Sequence, residues 1–428
     1  MLRLMKFTEW NKTSLIKELK GREKDDDLEI VAKVSNILSN VKKFGDEALM
    51  TFTKEFDEVD LKEIQVKDEE LENAFKLVDK DFINVLEEAA LNIKEYHENQ
   101  KNRGYILNKE NGIYMGQRVI PLEIVGVYVP GGTAAYPSSV LMNVIPAKVA
   151  GVKEIIMVTP PSKDGGINPY IAVAAKIAGI DKIYKVGGAQ AIGALAYGTE
   201  TIPKVDKIVG PGNTFVAVAK RLVFGKVDID MIAGPSEILV IADESANSKY
   251  IAADLMSQAE HDKLSSSIFV TTSMELYKKV EKELEKQVKL LERKEIIKES
   301  LSKYGIAILC NNLKECIEIS NILAPEHLEI MTDNAIELLG EVKNAGSVFL
   351  GHYSPEPVGD YFGGTNHVLP TNGTARFFSP LSVDSFIKKS SYLHYTEEAL
   401  KEHGRKIILL AEKEGLTAHA NSVKVRLN

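Results

Sequence analysis

Up to about residue 110 the chain is rich in charge, and its apolar positions recur at three- and four-residue steps, as in Val31, Val34, Ile37, Leu38 and Val41. That period lines one helical face and predicts amphipathic helices lying on a surface. From about Ile124 short β-branched runs alternate with alanine-rich helical runs. Strands are predicted at Ile124-Val-Gly-Val-Tyr-Val, Ile155-Ile-Met-Val, Ile183-Tyr-Lys-Val and Lys207-Ile-Val. Helices are predicted around 140–150, 169–178, 190–197 and 214–223. Beyond Gly234-Pro-Ser-Glu the alternation resumes, with strands at Ile238-Leu-Val-Ile, Ser267-Ile-Phe-Val, Ile306-Ala-Ile-Leu and Val348-Phe-Leu. A surface helix is predicted over about 273–301, where Leu276, Val280, Leu284, Val288 and Leu291 form one stripe. Strand–helix alternation of this kind means βαβ units and a mostly parallel sheet, so the fold class is α/β. Two halves meet near residue 235 with no Pro- or Ser-rich linker between them, which predicts packed rather than tethered halves. The tail, 381–428, carries one amphipathic helix (396–414) and a polar segment that is either frayed or docked.

The length of 428 residues accommodates two to four domains with a large core. A net charge of −8 argues against a nucleic-acid surface, which needs clustered positive charge. No apolar run is long enough for a membrane span, and the start has no signal-peptide core, so a cytoplasmic location is expected. Cys310 and Cys316 are the only thiols; their spacing offers neither a CxxC pair nor a zinc ribbon, and both read as structural.

Three glycine-rich turns follow predicted strands: Pro130-Gly-Gly-Thr, Gly187-Gly-Ala-Gln and Gly210-Pro-Gly-Asn. Each suits a phosphate at a strand's carboxyl end, and each suits ordinary helix capping equally well; none matches GxGxxG. Gln258 and His261 share a helical face at a metal-compatible spacing, although such a histidine is more often a surface or core residue. Glu326 and His327, adjacent in a loop or first helical turn after Pro325, can form a general acid/base pair. Asp360 and His367 are the reactive candidates of a long glycine-rich loop. His97, His352, His394 and His403 read as structural.

Together these blocks resemble one family, the histidinol dehydrogenases. The strings are Val127-Tyr-Val-Pro-Gly-Gly, Val186-Gly-Gly-Ala-Gln-Ala-Ile, Val209-Gly-Pro-Gly-Asn, Gly234-Pro-Ser-Glu, Ser257-Gln-Ala-Glu-His, Ala324-Pro-Glu-His-Leu, Val358-Gly-Asp-Tyr, Asn366-His-Val-Leu-Pro-Thr and Thr417-Ala-His-Ala. The resemblance implies two incomplete Rossmann-like domains with mostly parallel sheets, plus helical N-terminal and small C-terminal segments. The expected division is an arm 1–22, a larger domain 23–129 with 237–380, a second domain 130–236, and a dimerisation tail 381–428. It implies one Zn²⁺ per subunit on Gln258, His261, Asp360 and His419, and NAD contacts at Tyr128, Gln190 and Asn213. Substrate contacts fall on Ser236, Gln258, His261, His327, Asp360, His367, Glu414 and His419, and the catalytic pair on Glu326 and His327. In a homodimer the tail would carry Glu414 and His419 to the partner's site.

The family's reaction is the last step of histidine biosynthesis: four-electron oxidation of L-histidinol through its aldehyde to L-histidine, with NAD as acceptor. His327 fits a general base, and Glu326 fits activation of water for the second oxidation, since neither thiol lies in a motif block. Zinc would either polarise the reacting oxygen or anchor the substrate. Asn372, Phe362-Gly-Gly-Thr and Asp384 depart from the family's usual residues beside the site. An enzyme of the same fold acting on another primary alcohol, and a non-catalytic binding protein, are the competing readings. The retained Glu414 and His367 weigh against the first, and the retained Glu326 and His327 against the second.

Overall fold

A computed structural model describes residues 1–9, 13, 15–16, 28–131, 136–180, 182–232 and 234–427. Residues 10–12, 14 and 17–22 of the expected arm, and the part of the Pro130-Gly-Gly turn after Gly131, lie outside the described residues. The chain divides into two compact units, Met1–Gln100 with Glu123–Phe386, and Lys101–Leu122 with Ile387–Asn428.

The first unit contains two parallel sheets. One has the order β6-β5-β4-β7-β8, built from β4 (Ile124–Tyr128), β5 (Glu154–Thr159), β6 (Lys182–Lys185), β7 (Lys207–Val209) and β8 (Asp228–Ile229). The other has the order β1-β11-β10-β9-β12-β13. Its strands are β1 (Arg3–Lys6), β9 (Glu237–Ala242), β10 (Ser266–Thr271), β11 (Gly305–Leu309), β12 (His327–Met331) and β13 (Ser347–Leu350). In each sheet the chain winds outward from a central strand one way and then returns to that strand's other side, which creates switch points between β4 and β7 and between β9 and β12. Nearly continuous apolar strands such as β9, with every residue buried, are what a parallel sheet covered on both faces requires.

Three expectations change here. Val34, Ile37, Leu38 and Val41 of the helix Leu28–Phe56 share a core with Ile156, Val158, Ile192 and Leu195. That helix therefore packs with the five-stranded sheet, whereas the helix Lys80–Glu98 also meets residues 362–366, where Asn92 Nδ2 donates to the Phe362 carbonyl at 2.9 Å. Within the expected arm, Arg3–Lys6 is an edge strand, paired in parallel with β11 from Arg3 opposite Ile306 to Lys6 opposite Leu309. The single helix expected over 273–301 is two, Met274–Gln287 and Lys294–Tyr304, separated by a 3₁₀ turn at Val288–Leu290. The break lets Ile297 and Leu301 pack on the same core as Leu276, Val280 and Leu284.

The second unit is a three-stranded antiparallel sheet, β14-β3-β2, in which β2 is Tyr105–Asn108, β3 is Tyr114–Pro121 and β14 is Ile387–His394. Helices Glu397–Lys413 and Thr417–Lys424 complete it, with Leu427 packed close to Gly404. Residues 105–108, expected within a helical region, are thus a strand, and the dimerisation tail expected from 381 joins this unit only at Ile387. Its polar end is helical. Among the described residues no helix is long and apolar enough to cross a membrane.

Candidate active site

A cavity of about 330 Å³ in the first unit is lined by Ser236, Gln258, His261, Glu326, His327, Asp360 and His367, among others. Segments following β4, β7 and β8 supply one wall, including Pro130, Gly212 and Asp230; segments preceding β9 and β12 supply the other. Hence the carboxyl edge of the five-stranded sheet faces the amino edge of the six-stranded one. The strand-end rule for ligands holds only for the first of these edges. His327, expected in a loop or helical turn, is the first residue of β12, paired with Ile238 of β9 and Ser347 of β13, and Glu326 lies in the loop immediately before it. Asp360, expected in a loop, is on the short helix Glu356–Tyr361.

His327 is buried, and its Nδ1 lies 3.0 Å from the Glu237 carbonyl. A carbonyl only accepts, so Nδ1 carries a proton and Nε2 is the atom facing the reactive groups. Nε2 has no hydrogen-bond partner; it is 3.8 Å from Asp360 Oδ1 and 3.9 Å from Glu356 Oε1. Burial opposes protonation of this ring, but the carboxylates of Glu326, Asp360 and Glu356 outweigh it and push its pKa up to about 10. Glu326 Oε2 accepts from the Glu237 N–H at 2.8 Å and lies 3.7 Å from His327 Nδ1. Burial pushes this carboxyl up to about 7, with His327 opposing. Burial also raises Glu356, whereas the His327 and His367 rings hold Asp360 low despite its burial.

The donor chemistry fits a divalent metal. Gln258, 1% exposed, has an unpartnered Oε1. Burial lowers the pKa of His261, with Asp360 opposing, so its ring has a free lone pair although part of it is open. His327, Glu356 and Asp360 bring ligand atoms within 4.8 Å of one another, which puts Glu356 beside the expected donors. A mixed N/O set of this kind suits zinc. His367 is anchored through Nδ1 to the Asp360 carbonyl at 3.1 Å and lies 3.4 Å from Ser139 Oγ.

The expected nucleotide residues stand at the carboxyl edge of the five-stranded sheet. Tyr128 ends β4, and its hydroxyl accepts from the Gly188 N–H at 3.2 Å. Gln190 is buried with Oε1 unpartnered, and Asn213 caps the helix Thr214–Val223 by accepting from Val216 N–H at 3.1 Å. Tyr128 and Gln190 are thus buried, and none of the three residues lines the cavity. Glu414 and His419 belong to the second unit and are exposed there; neither lines the cavity. Sequence reasoning missed Glu356, Ser139 and the buried pair Lys220–Asp230, all of which line it. Pro-Glu-Pro and a lone lysine in an apolar helix, Thr214–Val223, were the only signals.

A switch point at the carboxyl edge of a parallel sheet, facing an acid–imidazole pair with metal donors beside it, is the layout of a nucleotide-linked oxidoreductase. Residues 20–427 match the histidinol dehydrogenase family. The chain is 63% identical to the histidinol dehydrogenase of Clostridium acetobutylicum over 408 residues, 95% of each chain. It is 58% identical to that of Caldanaerobacter subterraneus subsp. tengcongensis over 428 residues, 100% of this chain and 99% of the other. The crystal structure of histidinol dehydrogenase from Elizabethkingia anophelis superposes with a TM-score of 0.89 at 44% identity, covering 92% of both chains. The chain belongs to the histidinol dehydrogenase family and is an oxidoreductase.

Proposed function

We propose that this enzyme carries L-histidinol through the aldehyde to L-histidine in the cytoplasm, each oxidation delivering a hydride to one NAD. The observation that carries the reading is the Glu326–His327 pair at the start of β12, opposite the nucleotide edge and beside Gln258, His261 and Asp360. The neutral form of His327 takes the proton of the alcohol at Nε2 as the carbon gives up its hydride, so this step should quicken as pH rises toward about 10, and Nδ1 stays anchored to the Glu237 carbonyl. The aldehyde must then become tetrahedral. Cys310 and Cys316 are buried in another core cluster and line no part of the cavity, so neither serves as nucleophile. Glu326, with one oxygen tied to Glu237 N–H and the other left to act, takes a proton from water as that water adds to the carbonyl carbon. The His327 imidazolium returns its proton to the carbonyl oxygen during that addition, and the neutral ring then deprotonates the hydrate as the second hydride leaves.

Gln258, His261 and Asp360, with His419 of a second copy, would hold zinc, whose contribution when bound is to anchor the substrate's amine and imidazole and so orient its carbon. Tyr128, Gln190 and Asn213 would face NAD; Ser236, His367 and Glu414 would contact substrate. A homodimer is supported by the second unit, where Tyr105, Ile106, Leu393 and Leu410 are 60–67% exposed. The test is NADH formed from limiting L-histidinol with excess NAD, with and without chelator. About two NADH per substrate, lost on chelation and restored by zinc, is expected; no NADH would favour the enzyme of another alcohol.

A further inference from the structure

We propose that the buried ion pair Lys220–Asp230 is a positioning device for the nucleotide edge, holding the Gly210-Pro-Gly-Asn turn against β4 so that Asn213 meets the dinucleotide. The inference rests on the NAD site read above. Lys220, on the helix Thr214–Val223, pairs with Asp230, which directly follows the two-residue edge strand β8. Their side chains are 3% and 1% exposed. Lys220 Nζ donates to the Gly210 carbonyl at 2.9 Å, and Asp230 Oδ2 accepts from the Gly210 N–H at 2.8 Å. Both polar groups of one glycine are therefore held by this pair. Asp230 Oδ1 also accepts from its neighbour Met231 N–H at 2.6 Å, and Asp230 N–H donates to the Ile208 carbonyl at 3.1 Å, tying the segment after β8 to β7. Gly210 has φ +112°, and a Cβ there would stand 2.1 Å from the Tyr128 carbonyl oxygen, so the turn touches the strand end that carries Tyr128. Burying two charges is costly, and apolar replacement of such pairs is often neutral or stabilising, so stability does not account for this one. What the pair provides is a fixed place for a turn whose Pro211 and Gly212 line the cavity.

The test uses the zinc-loaded protein and equilibrium binding of NADH without substrate, read by fluorescence, with zinc content, Tm and both KM values measured alongside. Lys220→Met should weaken NADH binding by about tenfold to hundredfold and raise KM for NAD similarly. Zinc content and KM for L-histidinol should stay near wild type. Tm should fall, because Asp230 is left buried without its partner. The double variant Lys220→Met/Asp230→Leu removes that stranded charge and should recover Tm without recovering nucleotide affinity; it also carries the test if the single variant does not fold. Recovery of affinity together with Tm, or wild-type NADH binding by Lys220→Met, overturns the proposal while leaving the NAD site standing. Failure of the wild-type protein to bind NADH overturns the NAD site itself and this proposal with it.

Discussion

Exchanging Glu326 for glutamine should uncouple the second oxidation from the first. The amide oxygen can keep the 2.8 Å bond from Glu237 N–H, so β12 starts in the same place and only the base is lost. A positioned general base contributes roughly 10²- to 10⁴-fold, which is about 2.7–5.4 kcal/mol of barrier. The first hydride transfer relies on His327 Nε2 and should proceed. With Glu326 neutral, the imidazolium of His327 loses its strongest electrostatic support, so the acid limb of this first step should move to lower pH. Followed at limiting L-histidinol, the variant should give a rapid phase of about one NADH and a second phase slowed by that factor, with aldehyde recoverable by a carbonyl trap. Because burial holds this carboxyl up near 7, and a base acts only when ionised, the wild-type second phase should accelerate as pH rises through about 7. The variant should lose that dependence on Glu326 and keep only the one set by His327. Two equal, fast phases in Glu326→Gln would refute the assignment of water activation to this residue.

His261→Asn should lower zinc content and raise KM for L-histidinol together; unchanged zinc occupancy on elemental analysis removes His261 from the ligand set. Glu329→Gln should be tolerated, since the amide can accept from Glu356 N–H, as Glu329 Oε1 does at 2.8 Å, and donate to Asp254. Glu329→Met leaves buried groups on both neighbours unpaired and should cost about 1–3 kcal/mol or more, read as a fall in Tm. Asp57 is half-buried, and burial raises its pKa from 3.8 to about 6, so the folded state holds its proton more tightly than the unfolded chain. Its stabilising contribution is present below the unfolded value and lost as pH rises through about 6. Asp57→Asn should therefore stabilise at pH 7 and not at pH 3.5, by about 1 kcal/mol once the roughly 3 kcal/mol implied by the shift is discounted for solvent screening. Equal effects at both pH values would contradict that linkage.

The parallel strands were legible because burial on both faces leaves an uninterrupted apolar run, and the glycine turns because they punctuate those runs. Short edge elements were not. In β1, three of its four residues are exposed, so the segment carries little apolar signal, and β2 is exposed along its whole length. The motif residues Ser236, Gln258, His261, Glu326, His327, Asp360 and His367 do converge on one cavity, but their placement at the amino edge of a sheet could not be read from them. That placement depends on how the two sheets face each other. The supporting carboxylates were invisible for a different reason. Glu329 and Asp254 look like surface charge in a string of letters, and only the strand's neighbours on both sides make Glu329 1% exposed.

The pairing of β14 with β3, from Ile387 opposite Pro121 to His394 opposite Tyr114, has a bearing on how the chain is made. Thr396 Oγ1 donates to the Asn111 carbonyl across 285 residues of sequence. At typical ribosomal speeds that interval is roughly 15–60 s, during which β3 has no partner on that side. Most of the first unit can collapse in that time; the small sheet cannot close until Ile387–His394 leaves the ribosome. Assembly of the small sheet is therefore late in synthesis, and stalling or truncating synthesis before Ile387 should release a chain with an open, association-prone strand edge.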